Sequence, residues 1–214
     1  MYLELTVDEV VLTLFFEKVK TLVLASSNNH KAKEIGMILG RNYQIKTQEE
    51  FGVPFVPENG KTFSENAYIK ASQLAKKISI PVIADDSGLE VLSINNQPGI
   101  YSARYASIGA TDEENINKLL GALKNRPSSE RKAKFICSLV LIEDHDKQKV
   151  SYFNGEWKGE IANKKTGRHG FGYDPIFFVP SLKKTAAELS EEIKNKVSHR
   201  AIAINKLKNF LENQ

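Results

Sequence analysis

Asp85 and Asp86 stand side by side after the apolar run Pro81, Val82, Ile83 and Ala84, and Ser87-Gly88 follows them. Carboxylate oxygens at the end of a buried strand can hold a divalent cation, and a carboxylate beside such a cation can deprotonate a water. The apolar residues read as a short strand that stops at the two acids, with Ser87-Gly88 forming a tight turn. Strand alternation sends neighbouring side chains to opposite faces, so one Asp enters a given cleft and serves chemistry while the other serves structure. A polar turn after a strand would use the same residue types. The decision therefore rests on the other groups that could converge on the pair.

Two such groups lie upstream. Residues 21–25 read as a first strand, the polar stretch Ser26, Ser27, Asn28, Asn29 and His30 as a loop, and residues 31–39 as a helix beginning at Lys31. A strand, loop and helix in that order aim free backbone amides and the positive helix end at the loop, which favours an anion such as phosphate. After a second strand near residues 43–47, Glu58 precedes a helix announced by the capping-box pattern Thr62-Phe63-Ser64-Glu65. Its apolar stripe is Phe63, Ala67, Ala71, Leu74 and Ile78, with Asn66 and Lys70 on the edge. Lys70 either aims along the core into a cleft or lays its stem on the apolar edge with its ammonium in water.

The elements downstream complete a scaffold. Thr111-Asp112-Glu113-Glu114 starts a helix carrying Ile116, Leu119, Leu120 and Leu123, and residues 134–143 and 149–161 read as two antiparallel strands. The chain closes with helical sequence from Ser190 to about residue 211, in which Ser198 is a candidate N-cap placing His199 and Arg200 in a first turn. Units of βα type together with a central hairpin predict an α/β fold with a mixed sheet.

Composition sets the outer bounds. A chain of 214 residues fits one globular domain, here residues 21–214, with residues 1–20 as an N-terminal extension. The extension reads as an appended helix or as the product of an upstream start codon, since its acidic residues precede the apolar patch where a signal peptide needs positive charge. A net charge of +4, spread along the chain, suits an anionic small ligand and does not demand nucleic acid. The single cysteine, Cys137, lies in an apolar run and reads as a buried thiol, which points to a reducing, cytoplasmic setting. No apolar stretch reaches the roughly 18–20 residues of a membrane span.

The segments ADDSGLEV, PGIYSARYA, TFSENAYIKA, GFGYDPIFFVP, KTAAELS and SHRAI give the chain a recognisable signature. It closely resembles the Ham1/RdgB family of inosine and xanthosine triphosphate pyrophosphohydrolases over about residues 21–210. The resemblance implies an elongated mixed α/β structure, an ITPase-like (anticodon-binding-domain-like) fold of two lobes with a central substrate cleft, usually in a homodimer. It also implies Mg²⁺-dependent cleavage of ITP, dITP and XTP to monophosphate and pyrophosphate, which clears deaminated purines from the nucleotide pool. By resemblance Asp86 is the catalytic proton acceptor and a metal ligand, Glu58 the second acidic metal position, and Ser87 a substrate contact. Ser26, Ser27, Asn28, Asn29, His30 and Lys31 match the phosphate loop, and Lys70 a further phosphate contact. Phe171, Gly172, Tyr173, Asp174, Lys194, His199 and Arg200 match the surroundings of the base.

Residue chemistry agrees with these roles. Mg²⁺ takes oxygen ligands with one or two carboxylates, and lysines stabilise charge building on a leaving pyrophosphate. Donor-only groups such as Arg200, Lys194 or a protonated His199 suit the C6 oxygen of hypoxanthine and xanthine and leave adenine mismatched. Phe171 could stack on the purine or simply pack. One departure concerns the phosphate loop, in which Ser27 and His30 replace two family glycines; Asn29 and His30 tolerate positive φ, so the loop shape could persist, with His30 adding a phosphate contact. The competing readings are a Maf-like pyrophosphatase with another base preference and a nucleotide- or RNA-binding protein without catalysis. The chain lacks the clustered basic and aromatic residues of the latter.

Overall fold

The computed structural model describes residues 19–214. The expectations for the leading segment fall on residues 1–18 and lie outside the described residues. Strand β1 (Lys20–Leu24), helix α1 (Asn29–Leu39) and strand β2 (Tyr43–Thr47) form a parallel unit, and helix α2 (Phe63–Ala75) leads into strand β3 (Val82–Val91), also parallel to β1. Strand β4 (Gln97–Pro98) caps the end of β3. After helix α3 (Asp112–Ala122) come the long antiparallel strands β5 (Lys132–Asp144) and β6 (Lys149–Ile161), then β7 (Phe177–Val179), β8 (Lys184–Thr185), α4 (Glu191–Val197) and α5 (His199–Glu212). The eight strands make one mixed sheet in the order β2-β1-β3-β5-β6-β7-β8, with β4 beside β3.

Alternation decides what each face of β3 meets. Val82 and Ala84 pack with Ala67, Ala71 and Leu74 of α2, whereas Ile83 packs with Ile35 of α1 and Ile204 and Leu207 of α5. A third cluster fills the antiparallel end, where Leu89, Phe135, Trp157 and Phe177 meet Leu119 of α3. Three packed layers thus hold β3 at their centre, and burial of this apolar surface is the main stabilising contribution.

Two sequence expectations change here. The strand does not stop at the acids: β3 continues through Asp85, Asp86, Ser87 and Gly88, which pair with Leu139, Ser138, Cys137 and Ile136 of β5. Ser87-Gly88 is therefore not a turn. Gly88 is needed because a Cβ there would lie 2.5 Å from the Gly99 carbonyl oxygen and from Ser102 Oγ, so a close crossing mimics a turn signal. Ser198 is the N-cap that the sequence offered: it adopts an extended conformation and accepts from the Ala201 amide at 3.1 Å, which divides residues 190–211 into α4 and α5.

Gly155 of β6 lets α5 dock: a Cβ on it would overlap the His199 carbonyl oxygen. Thr62 caps α2 as expected, but Glu65 Oε2 accepts from the Lys61 amide at 2.6 Å instead of closing a box on Thr62. Thr111 and Glu114 do form the full box at α3. Among the described residues no helix is long and apolar enough to cross a membrane.

Candidate active site

The side chain of Asp85 is fully buried on the α1/α5 side of β3, with cations brought to it from both helices. Lys31 Nζ of α1 donates to Oδ1 at 2.6 Å, and Arg200 Nε of α5 donates to Oδ2 at 2.7 Å. Ser87 Oγ also donates to Oδ1, and Cys137 Sγ to Oδ2 at 3.3 Å. Burial opposes ionisation of Asp85, but Arg200 and Lys31 outweigh it and hold the carboxyl well below the usual range. The Cys137 thiol is pushed up by burial and by Asp85, so it stays protonated and packs as an apolar group.

Asp86 faces the other way, toward α2. Lys70 Nζ reaches Asp86 Oδ1 at 3.0 Å, Glu58 Oε1 at 2.8 Å and the Asp85 carbonyl at 2.9 Å, so of the two orientations open to it the ammonium takes the inward one. Glu58 comes from the loop before α2, a segment tied down where Gln48 donates to the Val53 and Pro54 carbonyls. Burial raises the Asp86 carboxyl above its ordinary value, with Lys70 opposing and Glu58 adding to the rise. For Glu58 burial works in the same direction, but Lys70, Lys31 and Arg104 prevail and lower it. Lys70 is held charged against the pull of burial by Asp86 and Glu58.

Asp86 Oδ2 is buried without a hydrogen-bond partner. An orphaned carboxylate oxygen beside a second carboxylate fits a hard divalent cation that takes its remaining ligands from phosphate oxygens and water. No cluster of three or more His, Cys, Asp or Glu side chains suited to a metal occurs among the described residues. The site thus offers a pair, not a closed cage.

The loop after β1 departs from expectation. Helix α1 begins at Asn29 rather than Lys31, and Asn28 is its N-cap, accepting from the Lys31 amide at 3.1 Å. Ser26 Oγ accepts from the Asn28 amide at 3.1 Å, and Ser27 is exposed. Ser27, Asn29 and His30 are not among the residues with positive φ. The side chains at the two glycine positions therefore carry no backbone strain, and the need for tolerant residues there falls away. His30 stacks on Phe171, with ring centroids 5.5 Å apart.

At the far end of the cleft Lys194 Nζ donates to Asp174 Oδ2 at 2.6 Å, and Lys194 and Arg200 lie 4.9 and 5.7 Å from the centroid of Phe171. Asp174 also accepts from the Phe171 amide, and Tyr173 Oη donates to the Ser102 carbonyl at 2.9 Å, so both hold the wall in shape. The Gly172 amide donates to Asp112 at 2.6 Å. Each nitrogen of Arg200 already donates, to Asp85, to Glu34 at 2.6 Å and to Ser87 at 3.2 Å, leaving one further proton on each terminal nitrogen. His199 is buried, stacked on Phe135 at 4.7 Å, and its Nδ1 has no partner. Burial and Arg200 hold it well below the usual imidazole range. It is neutral, which corrects the protonated donor expected from sequence.

Asp86, Ser87, Phe171, Lys194, His199 and Arg200 line one cavity of about 230 Å³. It shares Asn28, Lys31, Glu58 and Arg104 with a wider groove of about 680 Å³, which Ser26, Ser27 and Lys70 also line. Sequence reasoning missed Glu34, which pairs with both Arg200 and Lys194. Its position three residues after Lys31, on the same face of α1, was an available signal. Asp112 gave none, because an acid in a first helical turn needs no other reason. Arg104, unplaced from sequence, lies 3.6 Å from Glu58 at the junction of the two cavities.

The model of the Ham1 family matches residues 22–210. A dITP/XTP pyrophosphatase of Coxiella burnetii is 46% identical over 192 residues, 89% of this chain and 96% of that protein. One from Staphylococcus aureus is 47% identical over 195 residues, covering 91% and 98%. The solved structure of a HAM1 protein from Coxiella burnetii superposes with a TM-score of 0.85 at 44% identity, over 91% of this chain and all of the other. The Staphylococcus aureus Ham1 protein gives 0.82 at 45%, over 91% and 99%. A match across nearly the whole sequence and the whole fold means that the chain belongs to the Ham1 family.

Proposed function

We propose that this protein hydrolyses non-standard purine nucleoside triphosphates, ITP, dITP and XTP, between the α and β phosphates, releasing the monophosphate and pyrophosphate and clearing deaminated purines from the nucleotide pool. The observation that carries this reading is one continuous cleft with two chemically different ends. At one end Asp86 and Glu58 converge beside Lys70, Lys31 and the N-terminus of α1; at the other the Phe171 ring, Arg200 and a buried His199 with an unpartnered Nδ1 line the pocket. The dITP/XTP pyrophosphatase relatives support the same substrate class.

Asp86 and Glu58 would hold Mg²⁺, which when bound would polarise the phosphate oxygens and acidify a water. Asp86 accepts the proton of the attacking water, a role for which a buried carboxylate with a free oxygen is suited. Lys70 lies between the two acids and supplies positive charge to the phosphates, and Lys31 with the α1 amides binds the tail. Asp85 takes no proton: it orients Lys31 and Arg200 from behind.

Base selection follows from the donors that remain. Arg200, with one further proton on each terminal nitrogen, and His199, whose Nδ1 is buried without a partner, line the pocket, while Phe171 offers a stacking surface. A C6 oxygen satisfies a guanidinium donor and an adenine amino group does not, so ATP leaves a buried donor unmatched. The protein is expected to act as a homodimer, as is usual in the family, and in the reducing cytoplasmic setting that its single buried thiol suits. The test is pyrophosphate release from a panel of ITP, dITP, XTP, GTP, ATP and dTTP, with and without Mg²⁺. Preferential, Mg²⁺-dependent release from the first three is expected, and none from ITP or XTP would sink the proposal.

A further inference from the structure

We infer that His30 is a positioning residue for the base, not a phosphate contact: its imidazole backs the Phe171 ring and fixes the surface on which the purine stacks. This rests on the reading of the cleft given above. Phe171 lines two cavities, the cleft of about 230 Å³ and one of about 120 Å³ that His30, Met37 and His169 also line. His30 lines the second cavity and not the first, with its ring 5.5 Å from that of Phe171 and an interplanar angle of 24°.

Phe171 needs such a support. Gly170 and Gly172 on either side have φ of +77° and +59° and no side chains to brace it. Asp174 anchors its backbone amide at 3.0 Å, but the ring itself is held by Lys194, Arg200 and His30. Of these, only His30 offers an aromatic plane, and it projects from the first turn of α1, a rigid element tied through Lys31 to Asp85. Stacked aromatic pairs favour this offset arrangement. A glycine at position 30 would leave that side of the ring open.

The experiment measures binding of IMP and of tripolyphosphate separately, by titration calorimetry with Mg²⁺, to wild type, His30→Gly, His30→Ala, His30→Phe and Phe171→Ala. His30→Gly and His30→Ala are expected to weaken IMP about two- to tenfold, the range of an aromatic pair, with tripolyphosphate unchanged. His30→Phe restores IMP affinity, and in turnover KM for ITP moves more than kcat. The inference is overturned if tripolyphosphate weakens in step with IMP, which marks a phosphate contact, or if IMP binds both variants as it binds wild type. Phe171→Ala separates the two levels. If it leaves IMP binding untouched, the base pocket itself is misassigned and the inference falls with it; if it weakens IMP while His30→Gly does not, only the role of His30 fails.

Discussion

Asp85→Asn and Asp86→Asn should give opposite outcomes although the two residues are adjacent on one strand. The Asp85 carboxylate is fully buried between Arg200 and Lys31 at 2.7 and 2.6 Å. Removing one partner of a buried ion pair costs about 3–5 kcal/mol, because the remaining charges lose their compensation. At about 2–4 °C per kcal/mol for a domain of this size, Tm should fall by roughly 6–20 °C. Asp86 differs in sign. Burial and Glu58 raise its carboxyl above the ordinary value, so its charged form is on balance a cost to the fold at neutral pH, and a neutral amide of the same shape relieves that cost. Its Tm should hold or rise, while kcat drops by about 10²–10⁴-fold with loss of the proton acceptor. Thermal melts and pyrophosphate release on both variants check this. Near-normal turnover by Asp86→Asn, or an unchanged Tm for Asp85→Asn, would refute the division of labour.

His199 is held neutral by burial and Arg200, with its folded-state value well below 6.5. The unfolded chain then binds the extra proton below that pH, so stability should fall as pH drops from about 6.5, by up to about 1.4 kcal/mol per unit. Urea midpoints at pH 7, 6 and 5 should show this slope in wild type and a shallower one in His199→Gln. Gly155→Ala puts a methyl group into the His199 carbonyl, so α5 must retreat. The expected cost is about 1–3 kcal/mol with a raised KM for ITP, since Arg200 moves with the helix, and an unchanged melt would show that the docking is looser than described. Glu58→Gln should raise the Mg²⁺ concentration needed for half-maximal activity and, in EDTA, tighten ITP binding by roughly tenfold through loss of one nearby like charge. Unaltered Mg²⁺ dependence would remove Glu58 from the metal site.

The mixed sheet was legible because its signals are local. Val82 to Ala84, the α2 stripe and the caps at Thr62, Thr111 and Ser198 each announce themselves within a few residues. The course of β3 was not, because two carboxylates, a serine and a glycine read as punctuation unless their partners are known. Arg200, which makes burial of Asp85 possible, lies 115 residues away, and the crossing that requires Gly88 comes from Gly99 and Ser102. The phosphate loop misled for a related reason. Two missing glycines imply lost backbone freedom only if the fold uses positive φ there, and Asn28 starts the helix early enough that it does not. The site was readable as a set of residues; which of them face substrate and which hold the wall depended on contacts across the sheet.

Charge balance explains why the site would need a cation although it is rich in lysine and arginine. Lys31, Lys70, Arg104, Lys194 and Arg200 are matched by Glu34, Glu58, Asp85, Asp86 and Asp174, each in at least one ion pair with a member of the other set. A triphosphate entering this cleft meets no net positive charge. It must either draw cations away from buried carboxylates, leaving those acids uncompensated, or arrive with positive charge of its own. Under the proposed function Glu58 and the free oxygen of Asp86 would receive that charge, which would free Lys70, now paired with both acids, for the phosphates. On the other face of the strand Asp85 holds Arg200 and Lys31 at 2.7 and 2.6 Å with its side chain fully buried. Alternation between Asp85 and Asp86 thus separates a fully buried charge cluster from one with an unpartnered carboxylate oxygen that the proposed cation would use.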